Sequence, residues 1–260
     1  MGVISTQRGA IGYLEEGRGA LAPILFLHGV GSDKTVWRPQ LGYFGRSRRA
    51  VALDYPGYGD SDLLPGATRD DFAAAIFAAM DSLGIDRAHV CGLSLGGVIA
   101  IAMQALAPER CASLVLADTF AVHPDGAAIY RRSIEASQMM SMHALAAARI
   151  EMLVGSAATP ALRAEVVETM SAIDPAAYAI GAEAVWLADQ RERAAAIRVP
   201  CLVLCGNEDR ITPPALSEEL AGLIPGSTLE IITDAGHLAN AEQPEAFNAR
   251  VDRFLASLEN

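Results

Sequence analysis

Short apolar runs alternate with helix-length patterns along this chain, and that alternation is the strongest constraint on what it can fold into. The runs are IGYLEE, PILFLHG, RAVALDY, AHVCGLS, CASLVLAD, PCLVLCG and TLEIITD. Most are apolar at nearly every position, as strands covered on both faces must be. Neighbouring parallel strands need a crossover, and a helix is the usual one. The pattern predicts an α/β fold, a mostly parallel sheet flanked by helices. With 52% hydrophobic residues in a chain of 260, there is material for one large core.

The helices between the runs carry their own punctuation. TRDDFAAAIFAAMDSLG has Thr68 as N-cap with Asp71 three residues on, and Gly84 stops it. SLGGVIAIAMQALAPER begins at Ser94 itself. PPALSEELAGL follows Thr212, read as its cap, and Pro213. PEAFNARVDRFLASL turns Phe247, Val251, Phe254, Leu255 and Leu258 to one face. Residues 121–196 break the alternation: four helical patterns follow one another with no strand between them. Two of them, TPALRAEVVETM and DPAAYAIGAEAVWLADQ, open with a cap residue before proline. This block reads as a helical cap inserted into a core formed by residues 1–120 and 197–260.

Composition excludes several functions. Thirty-one acidic residues against 20 basic give a net charge of −11, a field that repels phosphate backbones and anionic membrane surfaces. Nucleic acid is set aside as a partner. The longest nearly uncharged apolar run, GGVIAIAMQALA, falls well short of the ~20 residues a membrane span needs. MGVISTQRGA lacks the layout of a signal peptide; its loose match to an N-myristoylation pattern is of the kind that arises by chance. A cytoplasmic location is expected. Cys201 and Cys205 share one strand, so their Cα atoms lie about 13 Å apart, beyond the ~7 Å a disulfide tolerates. Together with Cys91 and Cys111 they read as small buried residues of a reducing compartment. No cysteine–histidine spacing suggests a metal, and no cofactor is expected.

The chemistry sits around Ser94. In HVCGLSLGG a strand runs into a helix, with glycines at 92, 96 and 97 crowding the turn. Such a turn strains the backbone at the serine and brings other chain close, so only small residues fit beside it. It lifts a hydroxyl to a helix N-terminus, where the dipole favours developing negative charge. The G-x-S-x-G elbow is a nucleophile motif. A serine needs a base. His237, in TDAGHLANAEQP, follows the last strand and so shares the carboxyl edge of the sheet with Ser94. His28 reads as structural, His89 points away, and His123 and His143 belong to the cap. The acid that orients the base is Asp209 in GNEDR, with Asp118 after SLVLAD as the other candidate. Glu208, beside Asp209, points the other way. Two backbone donors complete an oxyanion hole: the N–H of Leu95 and that of Val30 in HGVGSD.

FLHGVGSDKTVW, LDYPGYGDSD, CGLSLGG, CGNEDRITPP and DAGHLANAEQPEAF together resemble the blocks of the α/β-hydrolase superfamily, in its order, along nearly the whole chain. LGIDRAHVCGLSLGGVIAIAMQALAPERCASLVLADT is most similar to 3-oxoadipate enol-lactonases. The resemblance implies a cofactor-free serine hydrolase cleaving a small carboxylic ester or lactone through an acyl-serine. That group's substrate carries a carboxylate, so the pocket should offer a cation; Arg131, with Arg132, is the candidate, a solvated helix face being the alternative. Trp37 and Trp186 are candidate pocket residues. Met139, with Met140 and Met142, is a candidate adaptable roof, or else plain cap packing. Carbon–carbon bond hydrolases and perhydrolases share such a triad, though HGVGSD lacks the proline usual in the former. Slow-turnover small-molecule receptors share it too.

Overall fold

The computed structural model describes residues 2–259. The chain opens with a hairpin, β1 (Gly2–Thr6) and β2 (Gly9–Glu16), then β3 (Leu21–Leu27), α1 (Arg38–Phe44), β4 (Arg48–Leu53), α2 (Arg69–Ser82), β5 (Ala88–Leu93), α3 (Leu95–Leu106) and β6 (Cys111–Ala117). Four helices come next, α4 (Gly126–Met139), α5 (Met142–Leu153), α6 (Pro160–Ser171) and α7 (Pro175–Trp186), then the short α8 (Arg191–Ala195). The core resumes with β7 (Cys201–Gly206), α9 (Pro214–Leu223), β8 (Thr228–Ile232), α10 (Ala239–Glu242) and α11 (Pro244–Leu258).

The strands form one sheet in the order β1-β2-β4-β3-β5-β6-β7-β8. β1 and β2 pair antiparallel, as do β2 and β4, and every other pair is parallel. From β3 the chain first steps to β4 on one side, then returns to place β5 on the other. Neighbouring strands whose following connections leave in opposite directions open a crevice at their carboxyl ends, and ligands bind there in folds of this type. Leu27 lies opposite Gly92 in register, so the loops after β3 and β5 leave the sheet side by side.

Seven expected strands are present, and β1 is an addition. It is a five-residue edge strand, alternately half-buried and exposed, too short and too polar in its surroundings to stand out. Gly9, at φ 103°, turns the hairpin. α2 has both halves of its capping box: Asp71 N–H donates to Thr68 Oγ1 at 3.2 Å, and Thr68 N–H to Asp71 Oδ2 at 3.0 Å. α3 is buried over nearly its whole length, so it runs against the sheet as an apolar rod. α9 corrects an expectation: it starts at Pro214 after Pro213, and Thr212 does not cap it. The helix expected to run to Gln190 ends at Trp186. Past it, Asp189 bridges to Val122, and Gln190 N–H donates to Ala121 O at 2.8 Å. These bonds tie the stretch after β6 to the stretch before α8.

Candidate active site

Ser94 stands between β5 and α3 at φ 55°, ψ −114°. A non-glycine residue at positive φ is costly, and such strain persists only where its surroundings enforce it. Here they do. Ser94 N–H donates to Ala117 O at 2.9 Å, and Ser94 O accepts from Gly97 N at 3.0 Å and Thr119 Oγ1 at 2.8 Å. The glycines are a matter of space. A Cβ on Gly92 would lie 2.2 Å from Gly96 O, and one on Gly96 would lie 2.1 Å from Leu27 O. The turn closes only because nothing projects from either.

His237 follows β8 and Asp209 follows β7, and the structure joins them: His237 Nδ1 lies 2.8 Å from Asp209 Oδ2. Asp209 accepts three further bonds. Ile211 and Thr212 N–H donate to Oδ1 at 2.8 and 2.9 Å, and Thr212 Oγ1 donates to Oδ2 at 2.7 Å. Burial alone would push this carboxyl up, but the His237 charge and the bonds from His237 and Thr212 outweigh burial and hold it below its usual range. An ionised Asp209 fixes the Nδ1–H tautomer, leaving Nε2 as the nitrogen free to take a proton. Thr212, read from sequence as a helix cap, is thus a partner of Asp209.

Asp118 is the nearby alternative, and its surroundings differ. It sits at φ 47°, wholly buried, with Oδ1 accepting from Gly206 N–H at 2.8 Å. Burial and the adjacent Asp209 push its carboxyl well above the usual range. Cys205 is close by, its thiol pushed up by burial and by both aspartates. Donor atoms of Asp118, Cys205 and Asp209 lie within 4.8 Å of one another.

The loop after β3 passes over the serine. A Cβ on Gly29 would lie 3.4 Å from Ser94 Cβ, so the loop backbone lies close over the serine. Below it His28 is buried against Tyr55 and Tyr58, and Nδ1 lies 2.8 Å from Gly29 O. Burial lowers its pKa against the pull of Asp54, so it stays neutral and structural. Asp54 anchors the loop from the far side, accepting Lys34 N–H at 2.9 Å and Lys34 Nζ at 2.6 Å. Val30 faces the cavity from this loop. Leu95 opens α3, where the N–H groups of a first turn have no partner inside the helix.

Ser94 and His237 both line a cavity of about 300 Å³ between the loops at the sheet edge and helices α5, α6 and α7. Its walls are mostly apolar: Val30, Val36, Leu153, Val166, Trp186 and Leu238 among them. Trp186 stacks on Phe120 with ring centroids 5.9 Å apart and reaches the wall. Three other candidates do not. Trp37 is fully buried in the core, stacked on Phe26 at 4.9 Å, because its helical turn presents that face to the sheet. Arg131 is exposed on α4. Met139 is 84% exposed at the end of the same helix. α4 packs against α7, and this stretch of it turns to solvent. Met142 is buried but outside the cavity. The residues that do bring charge to the wall are Arg149 on α5, Glu165 on α6 and Arg38 on α1. Arg149 is held by hydroxyls rather than by an acid; its Nη1 donates to Tyr178 Oη at 3.1 Å and to Ser133 Oγ at 3.4 Å. No sequence motif marks these positions, since only packing decides which face of α5 or α6 meets the cavity.

Known proteins share this fold. The crystal structure of an enol-lactonase from Burkholderia xenovorans superposes with a TM-score of 0.92 at 28% identity, covering 98% of this chain and 100% of that one. 3-Oxoadipate enol-lactonase 1 of Acinetobacter baylyi is 28% identical over 238 residues, 91% of this chain and 89% of that protein. A carboxylesterase of Bacillus subtilis is 30% identical over 264 residues, 97% of this chain and 86% of that protein. The family model described as alpha/beta hydrolase fold matches residues 22–244, and with the sheet, the elbow and these relatives in view, the chain belongs to the α/β-hydrolase fold family.

Proposed function

We propose that this protein is a cofactor-free serine hydrolase of small carboxylic esters and lactones, with Ser94 as nucleophile, His237 as general base and Asp209 as the acid that orients it. The observation that carries the reading is the 2.8 Å bond from His237 Nδ1 to an ionised, multiply bonded Asp209, in the same cavity as a strained elbow serine. Ser94 Oγ attacks the carbonyl carbon while His237 Nε2 takes its proton. The N–H groups of Leu95 and Val30 bind the oxyanion. The proton returns to the leaving oxygen as the C–O bond breaks and the acyl-serine forms. Water, deprotonated by His237, then clears the acyl group.

Among substrates, 3-oxoadipate enol-lactone is the first to try, on two grounds. Relatives at 28 and 29% identity carry that name, and the cavity wall includes Arg149, bonded only to hydroxyls among the described residues and so available to an anionic substrate. The acidic chain with four free, buried cysteines suits a cytoplasmic enzyme. Among the described residues no helix is long and apolar enough to cross a membrane.

The test is kcat/KM on that lactone, with p-nitrophenyl acetate and butyrate as comparators and Ser94→Ala as control. A value between about 10⁴ and 10⁸ M⁻¹s⁻¹ on the lactone is expected, with far lower values on the esters. Ser94→Ala should fold and lose hydrolysis of all three. Activity surviving in the folded variant refutes the nucleophile; brisk ester turnover with a weak lactone rate keeps the mechanism and removes the substrate.

A further inference from the structure

One turn of the insertion, residues 154–159 between α5 and α6, lies against the two loops that carry His237 and Asp209. The N–H of His237 itself donates to Leu153 O, at the end of α5, at 3.0 Å. Gly155 N–H donates to Glu242 Oε2 at 2.6 Å. The other oxygen of that carboxylate accepts the N–H groups of Gly236 at 3.0 Å and Leu238 at 3.1 Å, the two neighbours of His237. The acid loop is tied in the same way. Glu208, just before Asp209, accepts Ser156 N–H at 2.7 Å and Ser156 Oγ at 2.9 Å. Arg210, just after it, donates to Glu151 O at 3.1 Å. The junction is backbone on backbone: a Cβ on Gly236 would lie 2.4 Å from Gly155 N, and one on Gly155 would lie 2.9 Å from Gly236 N.

We propose that this turn is the device by which the insertion sets the geometry of the base and acid, with Glu242 as the positioning residue for His237 and Glu208 for Asp209. The inference rests on the Ser94–His237–Asp209 reading above. Neither glutamate is placed against the reacting atoms; each acts through its neighbour. Three N–H donors from two segments converge on the two oxygens of Glu242, and these bonds pull its carboxyl down against the upward push of burial. α5 and α6 also carry the cavity-wall residues Arg149, Leu153 and Leu162. A substrate that presses on those helices therefore presses on the turn that holds the base. The fit of the acyl group is read in kcat through this strap, because a displacement of about 1 Å in a reacting group costs roughly 10²-fold in rate.

Two variants test it by different routes. Glu242→Gln keeps the size but sets an amide N–H₂ against a backbone N–H, so either Gly155 or the His237 loop loses its acceptor. Gly155→Ala leaves the carboxylate intact and levers the turn off Gly236. In each, kcat on p-nitrophenyl acetate per folded molecule should fall about 10²-fold with KM changed by less than about twofold. A merely structural role would lower Tm and leave kcat per folded molecule alone. A folded variant of either kind with kcat within about threefold of wild type, or with its loss in KM, overturns the inference. If Glu242→Gln does not fold, Gly155→Ala decides alone. Ser94→Ala, run beside them, separates the two levels: hydrolysis surviving there removes the underlying reading, whatever the strap does.

Discussion

Asp118 and Asp209 sit one strand apart at the same sheet edge, and their surroundings push their proton affinities in opposite directions. Four bonds reach Asp209 from His237, Ile211 and Thr212, whereas Asp118 lies wholly buried beside that negative charge, with Gly206 N–H on Oδ1. Removing charge from the first should cripple His237 as the proposed base; replacing the second, whose carboxyl is pushed towards its neutral form, should not. Asp209→Asn is expected to lose about 10⁴-fold in kcat, while Asp118→Asn stays near wild type. If Asp118→Asn is the crippled enzyme, the acid is misassigned. The same pair gives a stability signature. Asp118 holds its proton in the fold to a higher pH than in the unfolded chain, so the native state binds more protons and stability falls as pH rises above the ordinary carboxylate range. Asn has no proton to lose, so Asp118→Asn should raise Tm at about pH 8 relative to wild type, the gain shrinking towards pH 4; equal Tm profiles would contradict it. At this scale Ser94, His237 and Asp209 are legible in the sequence because each stands at a punctuated strand end. Thr212 is not, since a threonine before two prolines is as good a helix cap as a carboxylate partner.

Among the elements, the β5–α3 elbow is the one whose sequence states its geometry. Three glycines around a serine mean a turn closed to van der Waals contact. Gly92 is a tight point in it, since a Cβ there would come within 2.2 Å of Gly96 O. Gly92→Ala should therefore force β5 and α3 apart, costing about 1–3 kcal/mol as overpacking does, and should misdirect Ser94 as well. Urea unfolding and kcat on p-nitrophenyl acetate check both; a variant with wild-type stability and rate would show that the turn is looser than its contacts imply. Elements with a strong local signal are readable in the same way. The capping box of Thr68 and Asp71 marks the start of α2 in sequence and in structure. β1 escapes a reading of the sequence because an edge strand with one half-buried face carries little apolar signal. The end of α7 is overrun because Leu187–Gln190 has helical composition, and the bridge from Asp189 to Val122 claims it instead.

At the scale of the whole molecule, a buried histidine on β5 is expected to contribute to the loss of stability in acid, as is the buried His28. His89 on β5 is 5% exposed, with Nδ1 2.8 Å from Ser113 Oγ, beside the Arg48–Glu259 ion pair. Burial, with the Arg48 charge, lowers its pKa to about 4. Between its ordinary value of about 6.5 and 4, the unfolded chain takes up a proton that the fold refuses, so stability falls as pH falls through that window, by about 3 kcal/mol at most. His89→Gln should flatten that part of the curve. Denaturation at pH 7 and pH 5 measures it, and an unchanged slope would rule His89 out as the cause. The same scale separates what could be read from what could not. Strand order along the chain, the elbow, and the loops that end in Asp209 and His237 follow from local chemistry: apolar runs, glycines that steric closeness demands, and breaks between strand and helix. By itself the sequence therefore determined the fold class and the edge on which the site lies. Tertiary structure alone decided that Trp186 lines the cavity while Trp37 packs in the core, that Arg149 and Arg38 rather than Arg131 bring positive charge to the wall, that Met139 faces solvent, and that Glu208 and Glu242 grip the turn between α5 and α6. The reason is physical. Periodicity says which residues share a face, but which face meets a cavity depends on contacts between segments far apart in the chain, and no local pattern encodes those.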